Sequence, residues 1–333
     1  MANASGSSSL TDPPLQSLSE FPVVPLSPFQ ALMGEIGDRG FQAIAFVAAS
    51  IAAAVPFCVV ILLFRDASPA IAKFGLPFLW QQDWDVNESI FGALPYLYGT
   101  LVSSAIALFL ALPVGVAVAI VTSEAVLPKW VQAPIAFLVE LIAAIPSVIV
   151  GLWGVTVLIP VLLPVQAFLY SNFKWLPVFG TEPFGPSLLI AGVVLAIMIL
   201  PTIAAIGREV FLALSSDLRN GAFALGASQW ESIIYIVLPS AAPGIFGGAS
   251  LALGRALGET MAVAMVIGNV SAIDISLLSP GTTIPSLLAN QFSEATETLH
   301  IGALMYLALV LFLVTFAVNS LAVFMVRFMN RNA

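Results

Sequence analysis

Six long apolar stretches constrain this chain more than any other feature of its sequence. Of its 333 residues, 60% are hydrophobic and only 8% are charged, which is more apolar surface than a water-soluble domain of this size can cover. A helix satisfies all its own backbone hydrogen bonds inside a bilayer and needs about 20 apolar residues to cross the hydrocarbon core. The sequence therefore predicts an all-α integral membrane protein.

Short segments carrying most of the charged residues separate the apolar stretches. Proline interrupts several stretches, and the third is too long for one straight crossing. An even number of crossings places both ends of the chain on the same side of the membrane. The six predicted spans are 41–64, 92–121, 131–163, 187–206, 244–268 and 301–325.

The distribution of lysine and arginine predicts which side holds the termini. With the N-terminus in the cytoplasm, six basic residues flank the spans on that side and three on the outer side. Cytoplasmic flanks of membrane helices are enriched in lysine and arginine, so we expect a multi-pass protein of the plasma (inner) membrane with a cytoplasmic N-terminus. The six residues are Arg39, Lys129, Arg208, Arg219, Arg327 and Arg331, and the three are Arg65, Lys73 and Lys174.

This topology divides the chain into a membrane core and polar flanking segments. The N-terminal segment is rich in serine and proline, and the segment after the first span carries two tryptophans that suit a membrane interface. The predicted parts are a flexible cytoplasmic tail (1–40), the first helix (41–64), a periplasmic loop (65–90), a core of five helices (91–328) with a cytoplasmic loop at about 214–240, and a short cytoplasmic tail (329–333).

The cytoplasmic loop contains the most specific local pattern in the chain. A polar run suited to a short helix ends at Gly226, because glycine readily adopts the left-handed conformation that closes a helix. Ser228 and Glu231 then have the spacing of a capping box before an apolar run, and Pro239 is predicted to prevent that helix from continuing. The loop is therefore predicted to form two short helices joined by a glycine elbow, as a docking segment or only as a packed connector.

Two charged residues fall inside the fifth predicted span. Arg255 lies near its middle and Glu259 four residues later, so on a continuous helix they share one face. An arginine at the bilayer centre is disfavoured by about 2.5–3.5 kcal/mol, so it normally faces a wet cavity or a partner. Either Arg255 forms a structural pair with Glu259 or with Glu140 of the third span, or it offers its guanidinium to a passing oxyanion. In the second case Glu259 competes for the guanidinium and lets the anion leave. The predicted substrate pathway comprises Arg255, Glu259 and Glu140.

The cytoplasmic loop resembles the EAA loop of binding-protein-dependent ABC importer permeases, the MetI-like family. The spacing from Gly226 to Leu238-Pro239 matches, whereas Asn220 and Gly221 replace the first two residues of the family's Glu-Ala-Ala opening. The runs LGRALGETMAVAMVIGN at 253–269 and ELIAAIPSVIVGLWG at 140–154 resemble one branch, the PstC-type permeases of high-affinity phosphate importers. The residues that the resemblance assigns to coupling are Ala222, Gly226, Ala227, Ser228, Leu238 and Pro239.

The resemblance implies a fold, a solute and a set of partners. The fold would be a MetI-like bundle of six transmembrane helices with a cytoplasmic coupling loop, and the solute would be inorganic phosphate. The partners would be a second related permease, a cytoplasmic ABC ATPase dimer, a periplasmic phosphate-binding protein and membrane lipid. The partner ATPase would bind ATP and Mg²⁺, so no cofactor is expected in this chain.

Several function classes lack the residues they need. The sequence contains no G-x-x-x-x-G-K-[ST] loop, no H-E-x-x-H and no G-x-S-x-G, so the chain is not expected to be an enzyme. A net charge of −8 without a basic stripe argues against nucleic-acid binding. The single cysteine, Cys58, and the single histidine, His300, can form neither a disulfide framework nor a clustered metal site.

Alternatives to phosphate import remain open on the residues alone. One arginine does not distinguish phosphate from sulfate or molybdate, so a permease for another oxyanion is the nearest alternative. An ion-coupled carrier or channel acting alone would leave the Gly226 elbow unexplained. A purely structural membrane scaffold would give no reason for Arg255 and Glu259 in the fifth span.

Overall fold

The computed structural model describes the backbone of residues 28–124 and 126–332, and the side chains of 40–124 and 126–328. Every named element within these residues is helical, which confirms the predicted all-α fold. Two π-helical turns, Gly154–Leu158 and Ile233–Val237, join α4 to α5 and α8 to α9. The helices are α1 (Pro28–Phe74), α2 (Leu94–Ser123), α3 (Lys129–Ala143), α4 (Ser147–Trp153), α5 (Ile159–Phe173), α6 (Leu188–Ala213), α7 (Ser216–Ala224), α8 (Gln229–Ser232), α9 (Leu238–Leu257), α10 (Met261–Val266), α11 (Ile284–Gln291) and α12 (Thr298–Asn332).

Within the described part of the chain, six helices are long and apolar enough to cross a membrane, as predicted. The described part of the chain divides at Val59 into two units, and the packed helical core lies entirely in the second. The six spans are Gly40–Phe74, Leu94–Ser123, Ser147–Phe173, Leu188–Ala213, Gln229–Leu257 and Thr298–Phe328.

The first and last helices are longer than predicted. The first continues ten residues past its predicted end at Phe64, because Ala67 and Ala70 are buried and Gly302 of α12 lets α12 lie against the backbone of Ala70. The predicted C-terminal tail, 329–333, is helical through Asn332. Most of the predicted N-terminal tail, 1–27, lies outside the described residues, and 28–40 belongs to α1.

The third predicted span, 131–163, is wrong because it joins two separate helices. The chain breaks between α3 and α4 at Ala144–Pro146, since proline disfavours a helical conformation in the residue before it and has no N–H to donate. The membrane-spanning part is Ser147–Phe173. None of the residues of α3 is buried, so this helix lies at the edge of the bundle.

The core forms where glycines let α2, α6 and α9 approach one another closely. A Cβ on Gly192 of α6 would lie 2.4 Å from Ile106 of α2, and one on Gly115 of α2 would lie 2.8 Å from Ile203 of α6. A Cβ on Gly248 of α9 would likewise lie 2.8 Å from Ile206 of α6. Small residues at helix interfaces are the usual means of close packing inside a membrane, and here they bring α9 close to the centre of the bundle.

A second cluster packs the segment after α1 against the start of α12. Phe78 is fully buried and stacks on Tyr306, with ring centroids 4.4 Å apart. His300 stacks on Phe91, with centroids 5.6 Å apart, and its Nε2 lies 3.2 Å from Gln291 Oε1. The predicted loop 65–90 is therefore a folded layer over one end of the core, and His300 packs within it.

Candidate functional site

Arg255 lies in the last turn of α9 and its side chain is exposed to open space inside the bundle. Its Nη1 donates a hydrogen bond of 3.4 Å to the hydroxyl of Thr202, which lies near the middle of α6. No carboxylate among the described side chains comes within 4.0 Å of Arg255. The guanidinium therefore lies beside the middle of α6 with most of its donors available. The prediction that Arg255 lies near the middle of its own span is wrong, because the span Gln229–Leu257 ends two residues after it.

The helix that carries Arg255 ends immediately after it. Gly258 caps α9, Glu259 donates its N–H to the carbonyl of Ala256 three residues back, and α10 begins at Met261. The predicted continuous span at 244–268 is therefore wrong, and so is the placement of Glu259 one turn from Arg255 on the same face. Glycine has a low helix propensity, and apolar residues on both sides of Gly258 concealed the break.

A second helix break lies beside the first. Arg255 and Ile145, which belongs to the break between α3 and α4, line the same cavity of about 300 Å³. α10 packs on α4, where a Cβ on Gly151 would lie 3.0 Å from the Cα of Ala262. Irregular backbone inside a membrane is tolerated where it borders protein or a water-filled space. The rest of this cavity is apolar, so Arg255 is its charged group; the lining residues are Ile142, Ile145, Ile149, Val150, Trp153, Ile197, Met198 and Arg255.

Arg255 also lines a larger and more polar cavity of about 710 Å³ between α6, α9 and α12. Ser250 donates a hydrogen bond of 3.2 Å to Asn319, and Gly254 leaves room for the Asn319 amide. Sequence reasoning missed these polar residues. Thr315 and Asn319 are four residues apart in an apolar helix, and that spacing could have revealed a polar face on α12. The polar side chains of this cavity are Thr202, Ser250, Arg255, Thr315 and Asn319.

Glu140 lies in α3 and lines a different cavity, with Arg208 and Glu209 of α6. It is not within ion-pair distance of Arg255 among the described side chains. The structure thus brings together neither of the acidic pairs considered for Arg255. Glu259 is partly buried in the break between α9 and α10.

The coupling segment, defined as residues 215–239, has the predicted helix–glycine–helix form. Ser215 caps α7 by accepting from the N–H of Asp217, and Gly226 has a positive φ of 86°. Ser228 and Glu231 form the predicted capping box at the start of α8. Each predicted local signal is therefore present, and Ala227 and Ser228 link the two helices.

The prediction that Pro239 stops the second helix is wrong. The π-helical turn Ile233–Val237 precedes α9 and inserts one extra residue into the helical repeat, so Leu238 and Pro239 start α9 without a gap. Ser240 Oγ donates a 2.7 Å hydrogen bond to the carbonyl of Ile236. The span therefore runs without interruption from Gln229 to Leu257.

An ion pair that sequence reasoning missed holds α7 against the end of α2. Arg219 Nε donates 3.0 Å to Glu124 Oε2 and its Nη2 donates 2.5 Å to Oε1, while the backbone carbonyls of Leu214 and Phe211 accept from the same guanidinium. Only 8% of the Glu124 side chain and 22% of the Arg219 side chain are exposed. The hydrogen bonds that Arg219 donates to Glu124 raise the pKa of Arg219, so the guanidinium stays charged.

Large apolar side chains remain uncovered on the coupling segment. Leu225, beside the elbow, is 90% exposed, and Phe223 and Trp230 are each about half exposed. Ala222 is buried and Gly226 has open space around it. Apolar side chains gathered on an otherwise polar segment mark a surface that a partner covers.

The comparison with known proteins identifies the family. A model described as "Binding-protein-dependent transport system inner membrane component" matches residues 111–332. The chain belongs to this family. A solved structure described as an inward-facing conformation of the MetNI methionine ABC transporter matches with a TM-score of 0.52 at 16% identity, over 71% of this chain and 95% of that chain, which confirms the MetI-like fold.

Relatives at higher identity lie in the predicted branch. The phosphate transport system permease protein PstC of Xylella fastidiosa (strain Temecula1) is 46% identical over 267 residues, 79% of this chain and 82% of the relative. The PstC protein of Mesorhizobium japonicum is 43% identical over 272 residues, 80% of this chain and 83% of the relative. The predicted resemblance to PstC-type permeases is confirmed, and the chain is a multi-pass membrane component of a transport system.

Proposed function

We propose that this chain is the transmembrane permease subunit of an ATP-driven ABC importer that moves inorganic phosphate into the cytoplasm. The observation that carries the proposal is Arg255, a mid-membrane guanidinium without a carboxylate partner among the described residues, facing two cavities. The identity with PstC proteins, which are phosphate transport system permeases, supports phosphate as the anion.

The chemistry of Arg255 suits transient binding of an oxyanion. A guanidinium stays charged at physiological pH and presents a planar fork of donors that matches two phosphate oxygens. The hydroxyl of Thr202 holds one end of this group by a 3.4 Å hydrogen bond and leaves the others free. Glu259, two residues beyond the end of α9, supplies a negative charge that limits how long the anion is retained. Glu140 lies in another cavity and has no direct part in this step.

Energy enters through the coupling segment. A cytoplasmic ABC ATPase dimer binds ATP and Mg²⁺ and contacts the segment around Gly226, where Leu225, Phe223 and Trp230 supply the exposed apolar surface. Because α8 continues into α9, movement of the segment reaches Arg255 through one continuous helix. The remaining partners are a second related permease, which completes the pathway, and a periplasmic phosphate-binding protein. The N-terminus lies in the cytoplasm, on the same side as the coupling segment.

Transport by the reconstituted complex tests the proposal. Proteoliposomes holding this chain with its sister permease, ATPase and binding protein should accumulate labelled phosphate only when ATP reaches the ATPase. Unlabelled phosphate should compete fully, and sulfate and molybdate should not. Equal competition by sulfate or molybdate would reassign the solute, and uptake without the ATPase would identify a carrier or channel.

A further inference from the structure

A cavity of about 470 Å³ lies between α2, α3 and α6, away from Arg255. Its wall is apolar except for four side chains: one hydroxyl, one guanidinium and two carboxylates. These belong to Thr122 of α2, Glu140 of α3, and Arg208 and Glu209 of α6. The transport proposal makes no use of this group of charges.

The charges of the cavity do not neutralise one another. Arg208 Nε is buried and has no hydrogen-bond partner within the part of the chain that the structure describes. Neither Glu140 nor Glu209 comes within 4.0 Å of Arg208 among the described side chains. A buried donor left unpaired is unfavourable, so the site requires an occupant that accepts from Arg208.

The cavity lies at the depth of phospholipid headgroups. α6 has 26 residues, so it is about 39 Å long at 1.5 Å per residue, whereas the hydrocarbon core is about 30 Å thick. Arg208 is five residues from the end of α6 at Ala213, and Thr122 is next to the end of α2 at Ser123. Both therefore lie near the boundary between hydrocarbon and headgroups, on the side of the coupling segment.

The helix α3 forms one side of the cavity and leaves apolar side chains exposed beside it. This helix has no buried residue, and Phe137, Leu138 and Leu141 are exposed on it. The apolar walls of the cavity suit methylene groups, and its charged end suits a headgroup that carries both signs. An isolated phosphate ion is disfavoured, because two carboxylates repel it and most of the space would remain in contact with apolar side chains.

We propose that this cavity binds a zwitterionic phospholipid with a primary amine, of the phosphatidylethanolamine type. The headgroup phosphate accepts hydrogen bonds from Arg208, including its buried Nε, and the ammonium lies against Glu140 and Glu209. The glycerol and the first acyl methylenes contact the apolar walls. The two carboxylates select this lipid over an anionic lipid such as phosphatidylglycerol, which carries the same phosphate and no amine.

Lipid retention by the purified importer complex tests the proposal. The complex is passed from nanodiscs of equal phosphatidylethanolamine and phosphatidylglycerol into mild detergent, and bound lipids are counted by native mass spectrometry. The wild-type complex should retain phosphatidylethanolamine preferentially, and Arg208→Gln should reduce that retention about tenfold. Arg65→Gln is the matched control, since Arg65 is exposed in α1 and pairs with Asp66, and it should leave retention unchanged.

Replacing the two carboxylates tests the lipid preference separately from lipid binding. Glu140→Gln with Glu209→Gln should keep the phosphate contact and remove the preference, so that phosphatidylglycerol is retained as well as phosphatidylethanolamine. Preferential retention of phosphatidylglycerol by the wild-type complex, or lipid retention that does not depend on Arg208, would overturn the proposal. So would a crosslink from Ala136→Cys to the sister permease, because it would identify a protein contact at the cavity.

Discussion

Arg219 and Arg255 have opposite surroundings. Arg219 in the coupling segment is bound to Glu124 through two hydrogen bonds and to three backbone carbonyls. Arg255 makes one long hydrogen bond to Thr202 and lines two cavities. The donors of the guanidinium are therefore occupied in Arg219 and mostly available in Arg255.

The difference lies in how firmly each region is attached to the rest of the bundle. Arg219 fixes α7 to the end of α2, so the coupling segment is attached to the bundle at a charged joint with almost no water access to Glu124. Around Arg255 two helices break, and the guanidinium faces open space. A segment that receives force benefits from firm attachment, whereas a site that binds and releases a solute benefits from unoccupied donors.

The largest expected effect is the loss of Arg219. Arg219→Leu leaves the buried Glu124 carboxylate without a partner and should destabilise the protein by about 2–4 kcal/mol. Thermal unfolding of the detergent-purified protein, followed by tryptophan fluorescence, measures the change. Arg219→Leu with Glu124→Leu should recover most of the loss, and Arg65→Gln should cost less than about 0.5 kcal/mol because its pair is exposed. An unchanged melting temperature for the single variant would remove the contrast between the two arginines.

Replacing Arg255 should affect transport and leave stability unchanged. Arg255→Gln removes the charged donors from the cavity, so uptake of labelled phosphate should fall at least about tenfold, which corresponds to about 1.4 kcal/mol. Uptake by Arg255→Lys should lie between that of the wild type and that of Arg255→Gln, because an ammonium keeps the charge and loses the planar fork. Glu259→Gln should slow release and so also lower the uptake rate. Normal uptake by both Arg255→Lys and Glu259→Gln would make the region structural.

A substitution at the elbow should separate ATP hydrolysis from uptake. Gly226 has a φ of 86° and open space around it, so Gly226→Val meets no clash and costs about 1–2 kcal/mol through its backbone alone. The altered angle between α7 and α8 should allow ATP hydrolysis with reduced phosphate uptake. Gly221→Ala is the matched control, because Gly221 lies within α7 and also has open space. Equal coupling ratios for both variants would contradict the assigned role of the elbow.

The smallest expected effect is at the cap of α8. Ser228→Ala removes a hydrogen bond to the N–H of Glu231 and should cost about 1 kcal/mol. Hydrogen exchange at α8 should rise in this variant, and Ser228→Asp should restore protection because aspartate is an equally good cap. Protection that is the same in all three proteins would show that tertiary contacts alone hold the helix.

The coupling segment was largely predictable from sequence because its signals are local. Gly226 and the Ser228–Glu231 box act within a few residues, and both were found where predicted. The π-helical turn before Pro239 was not predicted, since an extra residue in a helical repeat leaves no mark on an apolar run. The Arg219–Glu124 pair joins residues 95 apart, and no local pattern indicates it.

Around Arg255 the sequence predicted the charged residues of the site and missed how the helices are arranged. The charge inside an apolar stretch identified the residue, because a buried guanidinium is costly and therefore informative. The break after Gly258 was missed, because hydropathy averaged over a span is blind to a single interruption. Thr202, which bonds Arg255, and Asn319, which bonds Ser250, come from other helices, so only the packed structure brings them to the site.

The uninterrupted helix from Gln229 to Leu257 acts as a lever with the elbow at one end and Arg255 at the other. Its 29 residues give a length of about 43 Å, so a rotation of about 10° around its midpoint displaces each end by about 4 Å in opposite directions. That displacement exceeds the reach of a hydrogen bond. Under the proposed transport function, a modest tilt imposed at the membrane surface would be enough to separate the guanidinium from a bound anion.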